Sequence, residues 1–413
     1  MTNLFGYNLS SEVTNAVMGA NAYGYAYDPI GNRKQSAIDD GQAADGTAYA
    51  ANLLNQYAVI TNSAFSASPR EISPTYDLNG NMTWDGTNAY FWDVQNQLIL
   101  VSNFQFQVSN AYDAMGRRVR KSVSRRDAET QSWEVESTRH FFYDGWNVIR
   151  ETIAIGNQQS AITNLYTWGS DLSGTLQGAG GVGGLLAVLS SGSQPYSLTA
   201  YYPLFDHNGN IERYVTRSGA TVAVFQYDAF GNTISETFTQ SGNNAVTHFR
   251  FSTKYWDNEV GLYYYGYRFY RPGLGRWVNR DPYEENGGEN IVMYVGNNCM
   301  NIIDKFGLFS FRPSECRETC KENTRSNFSP YRIYIGPLSP TDAATWDAVL
   351  LFADVLSAMP TGIKPSDIAS WISSNIVVPT HEIADKLKDL LTQRIPWDVY
   401  LLYTVTLLSK IAF

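Results

Sequence analysis

An aromatic residue, an aspartate and then a Gly- or Asn-bearing turn recur along the first 236 residues, and this recurrence constrains the fold more than any other feature. It reads YDPIGNR at 27–33, YDLNGNM at 76–82, WDVQNQL at 92–98 and YDAMGRR at 112–118. It returns as FYDGWNVIRE at 142–151, FDHNGNIER at 205–213 and YDAFGNTISE at 227–236. Asp77, Asp93 and Asp113 stand 16 and 20 residues apart, and Asp206 and Asp228 stand 22 apart. A period of about 20 suits a unit of two short strands and two turns. In each unit the aromatic ring is expected to pack on a sheet face. The Asp accepts hydrogen bonds from turn N–H groups, and the Gly takes the left-handed position. Calcium is the other role for such aspartates, but a calcium loop gathers several oxygen ligands within about a dozen residues, and here one Asp occurs per unit. The aspartates are therefore read as turn residues. Such units cannot bury an apolar face alone and must stack.

Composition agrees with a mainly β body. Charged residues make up only 17% of the 413 residues and aromatics 14%, with 28 tyrosines and 33 glycines. Tyr, Phe and Trp suit a pleated surface, and Gly suits turns of positive φ. The chain carries a net charge of −9. Residues 309–413 hold 10 Lys+Arg against 11 Asp+Glu, which leaves 20 against 28 for residues 1–308. Neither part is basic enough for a broad nucleic-acid surface, so no nucleic acid is expected on the repeat region or the segment that closes it.

That closing segment, residues 249–308, is rich in Tyr, Gly and Asn. It contains FRFSTKY at 249–255, GLYYYGYR at 261–268, GRWVNRDP at 275–282, GNN at 296–298 and DKFGL at 304–308. Taken in order and at this spacing, these blocks resemble the Rhs repeat-associated core, which closes Rhs/YD-repeat proteins and the C components of Tc toxins. The resemblance implies a YD-repeat β-sheet spiralling as part of an Rhs shell around the C-terminal segment. About 300 residues of repeat and core would build part of such a shell, or an open curved sheet that needs a partner. The implied organisation is a YD-repeat region at 1–248, the core at 249–308 and a variable α-helical domain at 309–413.

In that family the core resembles an aspartyl protease that cuts its own chain after the D-x-x-G-L motif. By this resemblance Asp281 and Asp304 match the two aspartates, Arg268 matches the arginine that assists them, and the bond cut is Leu308–Phe309. Two carboxylates in one site do not both ionise cheaply, so one can activate water while the other, protonated, polarises the carbonyl. Their titrations would be coupled, so the two roles are not divided between them. A nearby guanidinium would stabilise the carboxylate or the developing oxyanion. Two positions depart from the family pattern, Cys299 and Lys305, where the family carries prolines. The chain there lacks the φ restriction that proline supplies. Lys305 is expected to place a cation beside Asp304 and so to favour its charged form.

The remaining motifs read as structural. Residues 169–188, GSDLSGTLQGAGGVGGLLAV, lack the Lys-Ser/Thr of a phosphate-binding loop and read as a tightly turning segment. From residue 309 the pattern turns helical, with four helices expected. His381 and Glu382 are not followed by the second His of a zinc helix. Cys316 and Cys320 share a helical spacing and read, with Cys299, as ordinary reduced thiols. No cofactor or metal is expected. The final apolar residues, 397–413, are short for a membrane span, so a membrane is not an expected partner. The N-terminus has no basic region followed by an apolar run, so no signal peptide is read, while the resemblance points to export or the cell surface. It implies as partners an immunity protein, an N-terminal shell or secretion protein, or a cell-surface carbohydrate or protein. A non-catalytic scaffold binding such a surface ligand is the alternative reading.

Overall fold

The computed structural model describes residues 3–39, 44–63, 69–156, 161–191, 198–239, 246–308 and 310–311. The helices expected after residue 309, with Cys316, Cys320, His381 and Glu382, lie outside the described residues, as does Phe309. Among the described residues a seven-stranded sheet runs from Leu4–Tyr7 to Arg70–Ile72, and a fourteen-stranded sheet runs from Thr75–Tyr76 to Thr233–Phe238. In both, every strand lies beside its neighbour in sequence, so the repeat region is an antiparallel meander. None of the helices among these residues is long and apolar enough to cross a membrane.

The repeat turn explains this order. At the first one, Asp28 Oδ1 accepts the N–H groups of Ile30 (3.1 Å) and Asn32 (2.8 Å), and Oδ2 accepts Asn32 Nδ2 (2.9 Å). The Asp77, Asp206 and Asp228 turns repeat the pattern. In WDVQNQL, Asn96 takes the glycine slot at φ 60°. The carboxylates are filled by their own turns, as an Asx-turn requires. The strand register slips by one residue at Tyr27, Trp92, Tyr112, Tyr143, Trp168 and Tyr227. Each bulge adds local twist and re-aims its aromatic side chain. The rings then anchor the sheet through their polar tips. Tyr27, Tyr112 and Tyr227 donate their hydroxyls to the carbonyls of Val13, Leu98 and Ile211, each at 2.8 Å, and Trp92 Nε1 donates to Met82 O at 2.7 Å.

The turns meet the closing segment along one edge. Arg276 donates to Asn32 Oδ1 (3.0 Å) and Asn55 O (2.7 Å), and its guanidinium lies 3.5 Å from the Tyr57 ring centre. Arg280 N donates to Asn81 Oδ1, Ser252 N donates to Asn210 Oδ1, and Asn232 Nδ2 donates to Pro272 O. The segment itself forms a four-stranded sheet of Tyr255–Asp257, Leu262–Tyr264, Phe269–Arg271 and Arg276–Trp277. One hydrophobic cluster joins it to both large sheets and includes Tyr23, Tyr90, Phe141, Tyr214, Phe251, Tyr270, Trp277 and Tyr294.

Charges are buried in the same interface. Asp257 accepts Arg118 (2.5 Å) and Lys121 (2.8 Å), and Lys121 also reaches Glu259 (2.6 Å). Glu151 accepts Arg139, Tyr166, Tyr255 and Asn164. Burial alone would push Glu151 up, but Arg139, His248 and the two tyrosine hydroxyls outweigh it and hold the carboxyl at about 2.

Candidate active site at the junction

Arg268 leaves the tight turn at residues 265–268, closed by Tyr265 N donating to Arg268 O at 3.0 Å. Behind it the Trp277 ring centre lies 4.2 Å from the guanidinium carbon, a cation–π contact that fixes its plane. The next strand, Phe269–Arg271, is tied to the returning chain by Phe269 N donating to Asn279 Oδ1. Two residues beyond Asn279 comes Asp281, whose Oδ1 accepts Tyr283 N (2.8 Å) in an Asx-turn of the kind the repeats use. Asp304 sits on the strand Ile303–Asp304, which pairs with Ser310–Phe311 beyond the junction.

The fold brings all three residues named from the sequence to one place. Arg268 Nη1 meets Asp281 Oδ2 at 2.7 Å, and Nη2 meets Asp304 Oδ2 at 3.2 Å. All three are buried, Asp304 completely. Arg268 Nε donates to Gly307 O at 2.5 Å. The other oxygen of Asp304 accepts the N–H groups of Phe306 (3.2 Å), Gly307 (2.6 Å) and Leu308 (3.0 Å). Leu308 is half-buried.

Burial raises both carboxyls above the ordinary range. Arg268 opposes this at each, joined by Tyr283 N–H at Asp281 and by the Leu308 and Gly307 N–H groups and Lys254 at Asp304. Burial also draws Arg268 downward, against the pull of both aspartates. Burial is the leading cause of the shift at each carboxyl. A guanidinium stands between the two.

The cation expected beside Asp304 is corrected. Lys305 Nζ lies over the Phe306 ring at 5.3 Å, and Asp171 is the charge that pulls on it. The second cation at Asp304 is Lys254, of the FSTKY block, whose side chain is buried and donates to Gly180 O (2.7 Å) and Lys305 O (3.0 Å). Burial pushes Lys254 down to about 8, while Asp304 and Asp171 favour its charged form. Cys299, at the other departure from the family pattern, is a buried thiol in the main cluster, and burial drives it upward.

Two elements read only as structural complete the site. The glycine segment carries Asp171, which caps it by accepting the N–H groups of Ser173, Ala179 and Gly181. Gly180, at φ +66°, packs so near the Lys305 backbone that any Cβ would collide with its carbonyl. The FYDGWNV turn departs from the others. It closes on two residues, with Asp144 paired to Asn147, and Trp146 rests on Tyr267 (4.6 Å) and Phe306 (5.2 Å). Its early glycine is the sequence signal for that departure. Among the described residues no group of three or more His, Cys, Asp or Glu converges as a metal site.

The model of the teneurin YD-shell family matches residues 1–293. The chain belongs to that family. The match includes Arg268 and Asp281 and ends before Asp304. Among curated proteins, the tRNA nuclease WapA of Bacillus subtilis (strain 168) is 30% identical over 294 residues, 68% of this chain and 11% of its own length. The double-stranded DNA deaminase toxin A of Burkholderia cenocepacia (strain H111) is 25% identical over 56% of this chain and 16% of its own. The chain therefore spans between a tenth and a sixth of these relatives' length. Among solved structures, that of TcdB2-TccC3-TEV superposes with a TM-score of 0.52 at 16% identity, over 74% of this chain and 17% of that one, and shows the fold alone. This YD shell is of the kind that toxin-like proteins carry.

Proposed function

We propose that this chain is the terminal shell segment of a polymorphic-toxin-like protein and that it cuts itself after Leu308, detaching residues 309–413. One observation carries the reading. A single guanidinium binds both Asp281 and Asp304, and Asp304 also holds the three N–H groups that lead to the bond in question. In the reaction, one carboxylate of the pair takes a proton from water as the water oxygen bonds to the Leu308 carbonyl carbon. Arg268 and the protonated partner stabilise the oxyanion. The C–N bond then breaks and the proton passes to the Phe309 nitrogen, leaving a carboxylate at Leu308 and an amine at Phe309. The freed segment is the effector in this reading, and a longer N-terminal shell is the partner that completes the enclosure.

Intact mass of the purified chain beside Asp304→Asn tests this. Two fragments meeting at Leu308–Phe309 are expected from the wild type and one unbroken chain from the variant. A single mass for both would overturn self-processing and leave a β scaffold for surface ligands.

A further inference from the structure

The loop before the bond is bound as a substrate is bound, one backbone group at a time. Lys305 O accepts Lys254 Nζ, Phe306 O accepts Tyr267 N at 3.0 Å, and Gly307 O accepts Arg268 Nε. The N–H groups of Phe306, Gly307 and Leu308 all go to one oxygen of Asp304. The Phe306 ring lies against Trp146, with Lys254 Nζ 5.8 Å from its centre. Lys254 and Tyr267 belong to the closing segment, but Trp146 and Gly180 come from the large sheet and its glycine-rich crossing.

We infer that Lys254, the Gly180 backbone and Trp146 are positioning residues of the self-protease, forming the cleft that fixes residues 305–307 so that the Leu308 carbonyl faces the dyad. The inference rests on the self-processing reading and extends it to residues the dyad does not touch. Its physical warrant is cost. A buried ammonium is expensive unless fully bonded, and this one gives hydrogen bonds to two carbonyls on facing segments, which ties the junction loop to the glycine segment. Gly180 permits that approach because it has no side chain. Trp146 fills the place beside Phe306 because its turn is shorter than its neighbours. The groups facing Lys254 are Asp304 and Lys305 from the junction, Asp171 from the glycine segment, and the rings of Tyr265 and Phe306. Loss of its charge loosens the Lys305 carbonyl, so the cut should slow as pH rises through about 8.

The test is the cleavage rate of the full chain, followed by pulse-chase during cell-free synthesis from pH 5 to 9. Lys254→Met, Gly180→Ala and Trp146→Ala should each slow the cut, by about 10- to 100-fold if the bond is displaced by near 1 Å. Lys254→Arg and Trp146→Phe should recover most of the rate, and Lys254→Met should lose the alkaline limb. Lys254→Met cutting at the wild-type rate with the wild-type pH profile would overturn the inference. A second measurement does not depend on turnover. In an Asp281→Asn chain, adding Lys254→Met should speed hydrogen exchange of the amides of residues 306–308, and adding Lys254→Arg should not. Unchanged exchange overturns the holding role even where the melting temperature is lowered. A wild-type chain that never cuts defeats the self-processing reading itself, and with it any role for Lys254 in the cut.

Discussion

Arg268 carries more of the junction than either aspartate. Its planar fork reaches two carboxylates and the carbonyls of Gly307 and Ile291 at once, and Trp277 fixes the plane. A lysine cannot make that set of bonds, because an ammonium is a point donor on a flexible stem. Arg268→Lys should therefore leave a folded chain whose self-cleavage falls by about 100-fold or more, the scale at which lost alignment and lost electrostatic stabilisation act together. Time-resolved gel analysis of freshly synthesised chain measures it. Arg268→Met removes the charge altogether and should cost about 3–5 kcal/mol at pH 7, since two buried carboxylates lose their partner. The sign of its pH dependence follows from burial, which already raises both carboxyls. Without the guanidinium they rise further. Such groups stabilise the fold below their unfolded pKa, and that stability is lost as pH rises through the folded pKa. The urea midpoint of Arg268→Met should thus recover toward wild type on going from pH 7 to pH 4. A deficit constant across that range would show that the carboxylates do not depend on Arg268.

At the scale of the element, the repeat turn is a device used twice. In four of the sheet turns it is Asp-x-x-Gly followed by Asn, whose amide fills the second carboxylate oxygen. At the junction the same Asp-x-x-Gly is followed by Leu308, whose side chain has no donor, and Arg268 takes that place. The Asp113 turn also lacks the amide, but Arg117 fills its carboxylate from within the turn, whereas at the junction the guanidinium comes from outside it. The ring tips form the other half of the device. Tyr227 is buried and donates to Ile211 O, so Tyr227→Phe should cost about 1–3 kcal/mol by leaving that carbonyl unpaired, read as a shift in denaturation midpoint. The Asp turns and their period were legible in the sequence because both hydrogen-bonding partners lie within five residues. The tyrosine hydroxyl bonds were not, since donor and acceptor are 14 to 16 residues apart and depend on the bulge. Trp146 and Gly180 escaped for the same reason. Their partners, Phe306 and Lys305, lie more than 120 residues downstream, and local pattern carries no trace of such contacts. Lys254 stood in a recognised block, but only the fold shows which carbonyls it meets.

For the molecule as a whole, the closing segment holds the two sheets together rather than capping one of them. The main hydrophobic cluster takes Tyr23 and Tyr25 from the first sheet, Phe141 and Tyr214 from the second, and Trp277 and Tyr294 from the segment. Trp277→Ala should cost about 3–5 kcal/mol and lower amide protection in both sheets together. Loss confined to the segment would mean that the sheets are independently stable. The buried charges serve the same joint, because Glu151 on the large sheet is bonded to Tyr255 of the segment. Glu151 has its folded pKa depressed from 4.5 to about 2, so its contribution is present above 4.5 and lost as pH falls through about 2. Glu151→Gln leaves Arg139 buried without its counter-charge and should cost about 3–5 kcal/mol at pH 7. The protonated glutamic acid and the glutamine are then nearly the same group. The wild-type and variant stabilities, measured by thermal melting at a series of pH values, should therefore converge between pH 4.5 and 2. Parallel curves would place the salt bridge outside the energetics of the joint and leave the aromatic cluster to hold sheet and segment together by itself.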